Sequence, residues 1–403
     1  MTEQAARKSP QADIHDPGRR AASISTWLTE HGGIRVDPQT LMTELCERLV
    51  AVGVPLSRAS YGAPTLHPQV WGSQFIWRRD GEGVSEIRHR HDAARSSTYR
   101  DSPVRVLHQG AAAVRRRLDI PAPQLDFPIL RELAAEGATD YVAMPLRFTS
   151  GWTGYISWAC DRPGGFSAAD LSRLEELLPL IALRLELEAS YRMSEGLLET
   201  YLGRDAARRV LAGKVRRGEG KRIRAAILLS DLRGFTAMAD RLPAEEVIAH
   251  LDAYFDVMVT QVHEHSGEVL KFIGDAMMAV FDVDGSSRGK ACCQAVHAAI
   301  GAVRATVALN RDRPEKLDFG IALHLGDVVY GNIGAADRLD FTVIGPAVNE
   351  AARMEGLCRS LDKQILISAS FTRSCTCKPL VSLGRHRLRG VREPQELFTV
   401  GAA

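Results

Sequence analysis

The sequence predicts an α+β protein in two parts, an antiparallel-sheet module followed by a unit with a split βαββαβ order. Three observations predict it. Residues 25–165 carry short aromatic and β-branched runs separated by turn residues. Residues 167–202 place leucines at helical spacing over an unusually long stretch. From residue 221 strands and helices alternate with hairpins among them, a pattern that a purely parallel doubly wound sheet does not give.

Composition bounds the functional classes. A chain of 403 residues fits two domains better than one. Apolar content of 45% and charged content of 25% read as soluble and globular. Lys+Arg 51 against Asp+Glu 49 leaves a formal charge of +2, which argues against a general nucleic-acid binder. The chain has no run of 18 apolar residues, so no membrane span is expected. The opening "MTEQAARKSPQADIHDPGRR" is polar, unlike a secretory signal. Seven cysteines without a C-x-x-C pair are expected to be reduced and mostly buried, in the cytoplasm. "CTC" at 375–377 comes nearest to a metal motif, and the sequence shows no partners for it.

Taken in order, residues 1–24 are polar with Pro and Gly and are expected to be disordered. "TLMTELCERLVAVG" reads as an amphipathic helix stopped by Gly53. "WGSQFIWRRDGEG" and "DYVAMPLRFTSGWTGYISWAC" read as strands with turns at "RRDG" and "TSGWTG", and "DFPILRELAAEGA" as a helix before the last two strands. Trp71, Trp77, Trp152 and Trp158 are expected in the core of this module, with a ligand pocket as the alternative. Residues 166–220 form a connecting helix and linker. Ser167 and Asp170 make a capping-box start. Leu171, Leu174, Leu178, Ile181 and Leu185 then recur at spacings of three and four, past a possible kink at Pro179. This stripe could pack on its own domain; the helix's length and position between two domains point instead to a coiled coil joining two copies of the chain.

In residues 221–403, "IRAAILLSDL" is a buried strand and "AEEVIAHLDAYFDVMVTQVHEHSG" an amphipathic helix. "EVLKFIGDAMMAVF" is a strand, a turn and a strand, and "GKACCQAVHAAIGAVRATVALNR" a second helix. "DFGIALHLGDVVYGNIG" reads as two strands, and "LDFTVIGPAVNEAARMEGLC" as a strand and a helix. The order is closest to a ferredoxin-like arrangement.

Two carboxylates carry the chemical argument. Asp231 ends the first strand of this unit, and Asp275 lies at a turn between two strands. If those strands are neighbours, the carboxylates meet, and they repel unless a proton or a cation sits between them. Mg²⁺ or Mn²⁺ with few protein oxygens and bound phosphates would resolve that repulsion. Gly234 allows a tight turn, and Phe235 and Thr236 open a helix whose N–H groups could meet phosphates. No G-x-x-x-x-G-K-[ST] motif is present.

"LLSDLRGFT", "GEVLKFIGDAMMAVF", "ALHLGDVVYGNIG" and "FTVIGPAVNEAARMEGL", in this order, resemble the catalytic domain of class III nucleotide cyclases over about 180 residues. The resemblance implies a ferredoxin-like core, an obligate homodimer with active sites at the interface, and two Mg²⁺ or Mn²⁺ ions per site. Asp231 and Asp275 match the metal-binding aspartates, with Leu232 beside them as a further metal contact. Lys271 matches the purine-reading position, with Thr342 as its partner; Asp340 shares a strand face with Thr342 and could replace it. Asn349 and Arg353 match the pair that holds the ribose and the transition state, and their spacing puts both on one helix face. Arg389 falls near a triphosphate-binding lysine. Pro346 and Gly320 depart from the family, standing where many members carry an acidic residue and some an arginine.

The implied substrate is ATP, because Lys271 can only donate and Thr342 can accept. A guanylate cyclase, or a degenerate cyclase domain that binds nucleotide without turnover, is the alternative. Residues 25–165, feeding a catalytic domain through a helix, resemble a GAF-like sensor that could hold a small-molecule ligand. Cys160 has no signature of a bilin attachment site.

Overall fold

A computed structural model describes residues 24–29, 37–64, 70–81, 83–90, 92, 96–283 and 287–401. The expected disorder of residues 1–24 falls outside the described residues except for Ile24, which opens a short helix over 24–29. The chain divides into two compact units, Met1–Leu197 and Leu198–Ala403.

The first unit is built on six strands: β1 (Leu56–Pro64), β2 (Val70–Arg78), β3 (Val84–Arg90), β4 (Val114–Arg117), β5 (Asp140–Arg147) and β6 (Thr153–Cys160). They run antiparallel in the order β3-β2-β1-β6-β5-β4. Helix α1 (Pro38–Ala51) starts where Asp37 accepts from Thr40 N–H and Pro38 fills the first helical position. It covers one face of the sheet together with the first half of α2 (Ala168–Leu202). Leu107, Leu130 and Leu133 from two short helices cover the other face. Strand β5 is covered on both sides and is therefore buried at seven successive positions instead of alternating.

Ser167 and Asp170 form the expected reciprocal box: Asp170 N–H donates to Ser167 Oγ at 3.2 Å, and Ser167 N–H to Asp170 Oδ2 at 2.8 Å. Helix α2 continues through Pro179 as one element. Its apolar stripe corrects the coiled-coil expectation. Leu174, Ile181 and Leu185 are buried in the core of their own unit, with Leu171 and Leu178 packed against it. The sheet beside the stripe already covers it, so it cannot also be a seam between chains. Leu183, Leu187, Tyr191 and Tyr201 are the large apolar residues that α2 leaves exposed.

The second unit opens with a short helix, Arg204–Leu211, tied down where Asp205 N–H donates to Glu268 at 2.7 Å and Tyr330 O–H donates to Asp205 at 3.1 Å. Its main elements follow as β7 (Gly220–Leu232), α3 (Ala244–Glu264), β8 (Glu268–Ile273), β9 (Ala276–Asp282), α4 (Arg288–Leu309) and β10 (Phe319–Gly334). These strands lie in the antiparallel order β10-β7-β9-β8. Beyond β10 come β11 (Leu339–Ile344), α5 (Pro346–Glu355), β12 (Ile365–Ser368), β13 (Leu380–His386) and β14 (Gln395–Val400). β11 folds back on the far end of β10, while β12, β14 and β13 extend the sheet past it.

Helices α3 and α4 pack on one face through Tyr254, Met258 and an alanine-rich side of α4. Helix α5 packs on the other through Ala347, Ala351 and Met354. By length and composition α4 could cross a membrane; in this unit its Ala291–Ala302 side is buried against the sheet.

One element differs from the sequence reading. Within "DFGIALHLGDVVYGNIG", Phe319–Gly334 is one sixteen-residue strand, not two. Its glycines are not breaks. A Cβ at Gly326 would collide with Ala347 of α5, and one at Gly331 with the backbone of Glu219. Both positions are kept bare for close approach.

Candidate active site

The end of β7 sets the site. Ser230 is buried on the α3 face, where its hydroxyl meets Tyr254 Oη at 2.7 Å. Side chains alternate along a strand, so Asp231 projects to the opposite, α5 face. Asp231 lies opposite Ala276 on β9 and opposite Gly320 on β10. Asp275 immediately precedes Ala276, in the tight β8–β9 turn that Gly274 enters with φ +64°. The two aspartates thus meet, close enough for the charge of each to oppose ionisation of the other.

Burial first, and then the charge of Asp275, push the Asp231 carboxyl up to about 6, against one Leu232 N–H that favours the ionised form. Leu232 itself has a buried side chain, so only its backbone carbonyl could serve a cation.

A third carboxylate joins them, and the sequence reading missed it. Glu355 ends α5. Burial, then Asp231, and then Asp275 against the opposing charge of Arg233, push it up to about 7. Its Oε1 lies 2.6 Å from where a Cβ on Gly320 would stand. The bare Gly320, the departure noted in the sequence, is thus the space that Glu355 occupies. Arg233 supplies the nearby positive charge; its Nη2 donates to the Lys363 carbonyl at 2.7 Å. The signal for Glu355 was its place two residues after Arg353 at the end of a helix packed on the sheet.

Gly234 adopts φ +74°, the left-handed region expected of a tight turn. The helix that Phe235 begins and Thr236 continues has only five residues, Phe235–Ala239, with no side-chain cap. Phe235 packs against the core and Thr236 is exposed. The turn offers backbone N–H groups but little helix dipole.

Lys271, on β8, donates from Nζ to Asp340 of β11 at 2.7 Å. Thr342, two residues on, is buried, and its Oγ1 has no hydrogen-bond partner. An unpaired buried hydroxyl is unfavourable until something reaches it. Phe272, Ile273 and Ile344 next to these residues are exposed.

Helix α5 begins at Gly345, with φ +150°, and Pro346 at its first position. Pro346 therefore serves the helix start. Asn349 is exposed and Arg353 half-buried. The Arg353 guanidinium lies 3.0 Å from a Cβ built on Gly390, so the turn carrying Arg389 packs against it. Arg389 itself is exposed. Glu355 is two residues past Arg353, about 200° around the helix. Within one chain, the face that carries Asn349 and Arg353 is directed away from the three carboxylates.

The donor set of Asp231, Asp275, Glu355 and the Leu232 carbonyl is hard oxygen, and its mutual repulsion is what a divalent cation would relieve; it fits Mg²⁺ or Mn²⁺.

The first unit holds a cavity of about 1140 Å³, lined among others by Arg58, Trp71, His89, Tyr99, His108 and Trp152. Trp71 stands edge-on to Tyr99 with ring centroids 5.7 Å apart, and Tyr99 Oη meets His108 Nδ1 at 2.9 Å. Of the four tryptophans singled out in the sequence, Trp71 and Trp152 line this cavity, whereas Trp77 and Trp158 are buried in the core.

Residues 221–400 match the family model of the adenylate and guanylate cyclase catalytic domain. An adenylate cyclase of Anabaena cylindrica is 38% identical over 168 residues, covering 40% of this chain and 32% of that protein. The chain spans about a third of the length of the curated relatives it matches. Among solved structures, the adenylyl cyclase CyaB from P. aeruginosa is 26% identical, with a TM-score of 0.42 over 46% of this chain and 97% of that one. The guanylyl cyclase Cya2 is 28% identical, with a TM-score of 0.41 over 46% and 94%.

Proposed function

We propose that residues 221–403 form a class III adenylate cyclase with a ferredoxin-like core, converting ATP to 3′,5′-cyclic AMP and pyrophosphate at sites shared by two copies of the chain. The observation that carries this reading is the convergence of Asp231, Asp275 and Glu355 at one end of a sheet whose sequence matches the cyclase catalytic domain. The strand order β10-β7-β9-β8 supports the ferredoxin-like description.

Asp231, Asp275 and the Leu232 carbonyl would hold two divalent cations, with Glu355 available beside them. Bound there, Mg²⁺ or Mn²⁺ supplies positive charge to the phosphate oxygens and to the ribose 3′-oxygen. The protein's own residues position the rest. Gly234, Phe235 and Thr236 turn backbone N–H groups toward the phosphates. Lys271 donates to adenine N1, and Thr342, pre-buried and unpaired, accepts from the amino group. Asn349 orients the ribose. Arg353, with Arg389 in the adjoining turn, stabilises charge as the 3′-oxygen bonds to the α-phosphorus and the bond to pyrophosphate breaks. Because Asn349 and Arg353 face away from their own chain's carboxylates, they would serve the partner's site. The exposed Phe272, Ile273 and Ile344 are apolar surface available for that pairing.

One observation favours a second reading. Asp340 brings a carboxylate to Lys271. Such a pair could donate to guanine O6 and accept from its N1–H, so a guanylate cyclase is the alternative. Incubating the purified chain with Mn²⁺ and each nucleotide, then separating cyclic products, tests both; unaltered ATP and GTP contradict both.

The first unit is read as a GAF-like regulatory module. The supports are its six-stranded antiparallel order, its cavity and its exit through α2. The cavity's aromatic and polar lining suits a small molecule with an apolar body and a few polar groups.

A further inference from the structure

Away from the carboxylates, a second cluster of ligating atoms lies on the other side of the sheet. Cys293 sits in the second turn of α4. Cys375 and Cys377 lie in the loop between the short helix Ala369–Thr372 and β13. The three sulfurs all lie within 4.8 Å of one another, and those of Cys375 and Cys377 are 3.6 Å apart. Cys293 is thereby gathered with two cysteines that follow it by 82 and 84 residues. The "CTC" that lacked a partner in the sequence has one in Cys293.

The loop is pinned in that position. Cys375 N–H donates to the carbonyl of the fully buried Phe371 at 3.1 Å, and Ser374 N–H to the same oxygen at 2.9 Å. A Cβ on Gly289, in the first turn of α4, would lie 3.3 Å from the Ser374 carbonyl, so helix and loop are in close contact. Cys375 is buried, while Cys293 and Cys377 are half-buried, so the cluster is anchored in the core and still reached from solvent.

We infer that Cys293, Cys375 and Cys377 form a three-thiolate site for a thiophilic divalent cation of the zinc class. With Zn–S bonds of about 2.3 Å, two sulfurs of a tetrahedral site stand about 3.8 Å apart, close to the 3.6 Å between Cys375 and Cys377, and the Cys293 sulfur, within 4.8 Å of both, has at most about 1 Å to close. Three protein sulfurs leave the fourth position to water or an outside ligand. Binding converts three thiols to thiolates and releases their protons to solvent. It would also clip the loop that leads into β13, and through it the basic turn that packs on Arg353, to the start of α4. This site uses soft sulfur, whereas the aspartate cluster uses hard oxygen, so the two select different cations.

The full chain, reduced and metal-free, is titrated anaerobically with Co²⁺ alone. The expected result is a sulfur-to-cobalt charge-transfer band in the near ultraviolet that saturates at one equivalent and is bleached by Zn²⁺. Oxygen donors at Asp231 and Asp275 cannot give that band, so the result stands or falls apart from any cyclase activity. Cys293→Ser and Cys377→Ser should each lose the band or weaken Co²⁺ binding at least tenfold. Should those variants fail to fold, alkylation of the wild-type chain gives a second measure. Zn²⁺ should protect Cys293, Cys375 and Cys377 together from iodoacetamide, as read by peptide mass. No band in the wild type, a band unchanged in folded variants, or a disulfide among the three that persists with Zn²⁺ under reducing conditions would each overturn the site.

Discussion

The carboxyl groups of Asp231 and Asp275 crowd each other at the ends of neighbouring antiparallel strands, although 44 positions separate them in the chain. The pairing of β7 with β9 brings them together, and Gly274 makes the turn that keeps Asp275 at the sheet's end. Replacing either by Asn removes a charged oxygen donor without altering size. D231N and D275N should each lower cyclic nucleotide formation about a hundredfold or more, with the thermal midpoint of the metal-free chain unchanged or raised. A steady-state assay and a melting curve on the same preparations check this.

The same crowding predicts an inverted response to pH. The Asp231 and Glu355 carboxyls sit near 6 and 7 in the folded chain, above their ordinary 3.8 and 4.5. The folded state therefore holds protons that the unfolded state has released. That contribution to stability is full below about pH 4 and is lost as pH rises through 6 to 7. The metal-free chain should lose a few degrees of melting temperature from these groups between pH 5 and 8. Mn²⁺ should restore more at pH 8 than at pH 5. Glu355→Gln should flatten the metal-free curve, and a melting series with and without Mn²⁺ reads all three effects.

Thr342 and Asp340 can be separated by substitution. The Thr342 hydroxyl is buried without a partner, so Thr342→Val removes an unsatisfied group and keeps the shape. Its stability should hold or rise while kcat/KM for ATP falls about tenfold or more relative to GTP. Asp340→Asn should instead free Lys271 and change KM for both nucleotides more evenly. Equal losses for ATP and GTP in Thr342→Val would remove Thr342 from base recognition.

Leu174 tests where the α2 stripe belongs. It is fully buried within its own unit, so Leu174→Ala should cost about 2–5 kcal/mol of that unit's stability whatever the protein concentration. Leu187→Ser, at an exposed position, should leave folding nearly unaltered. Denaturant titrations at two protein concentrations distinguish this from a stripe buried only in a dimer.

A shared site predicts rescue. Asp231→Ala and Arg353→Ala should each be inactive, yet a mixture should recover activity as heterodimers assemble one intact site. No recovery in refolded mixtures would place all the groups within one chain.

Much of this was legible in the sequence. Asp231 and Asp275 stood out because each ends an apolar run at a turn, and local pattern carries that information. The capping box at Ser167 and Asp170 was legible for the same reason. What stayed hidden depended on contacts distant in the chain. Glu355, at the end of α5, gains its place only because Gly320 on β10 has no side chain. Cys293 meets Cys375 and Cys377 only through the docking of a loop on a helix. The stripe of α2 is periodic whether it faces a sheet or a second helix, so periodicity alone could not choose. The segment 318–334 reads as two strands because a glycine kept for close approach, such as Gly326 or Gly331, looks the same in sequence as one kept for a turn.

The central claim is that this chain cyclises ATP at a site built on Asp231 and Asp275. Its most direct test gives the purified full chain equimolar ATP and GTP with Mn²⁺ and quantifies both cyclic products, with D231N as the control. The account predicts cyclic AMP in clear excess over cyclic GMP and neither from D231N. Cyclic GMP in excess, no cyclic product, or a D231N variant as active as the wild type would contradict it.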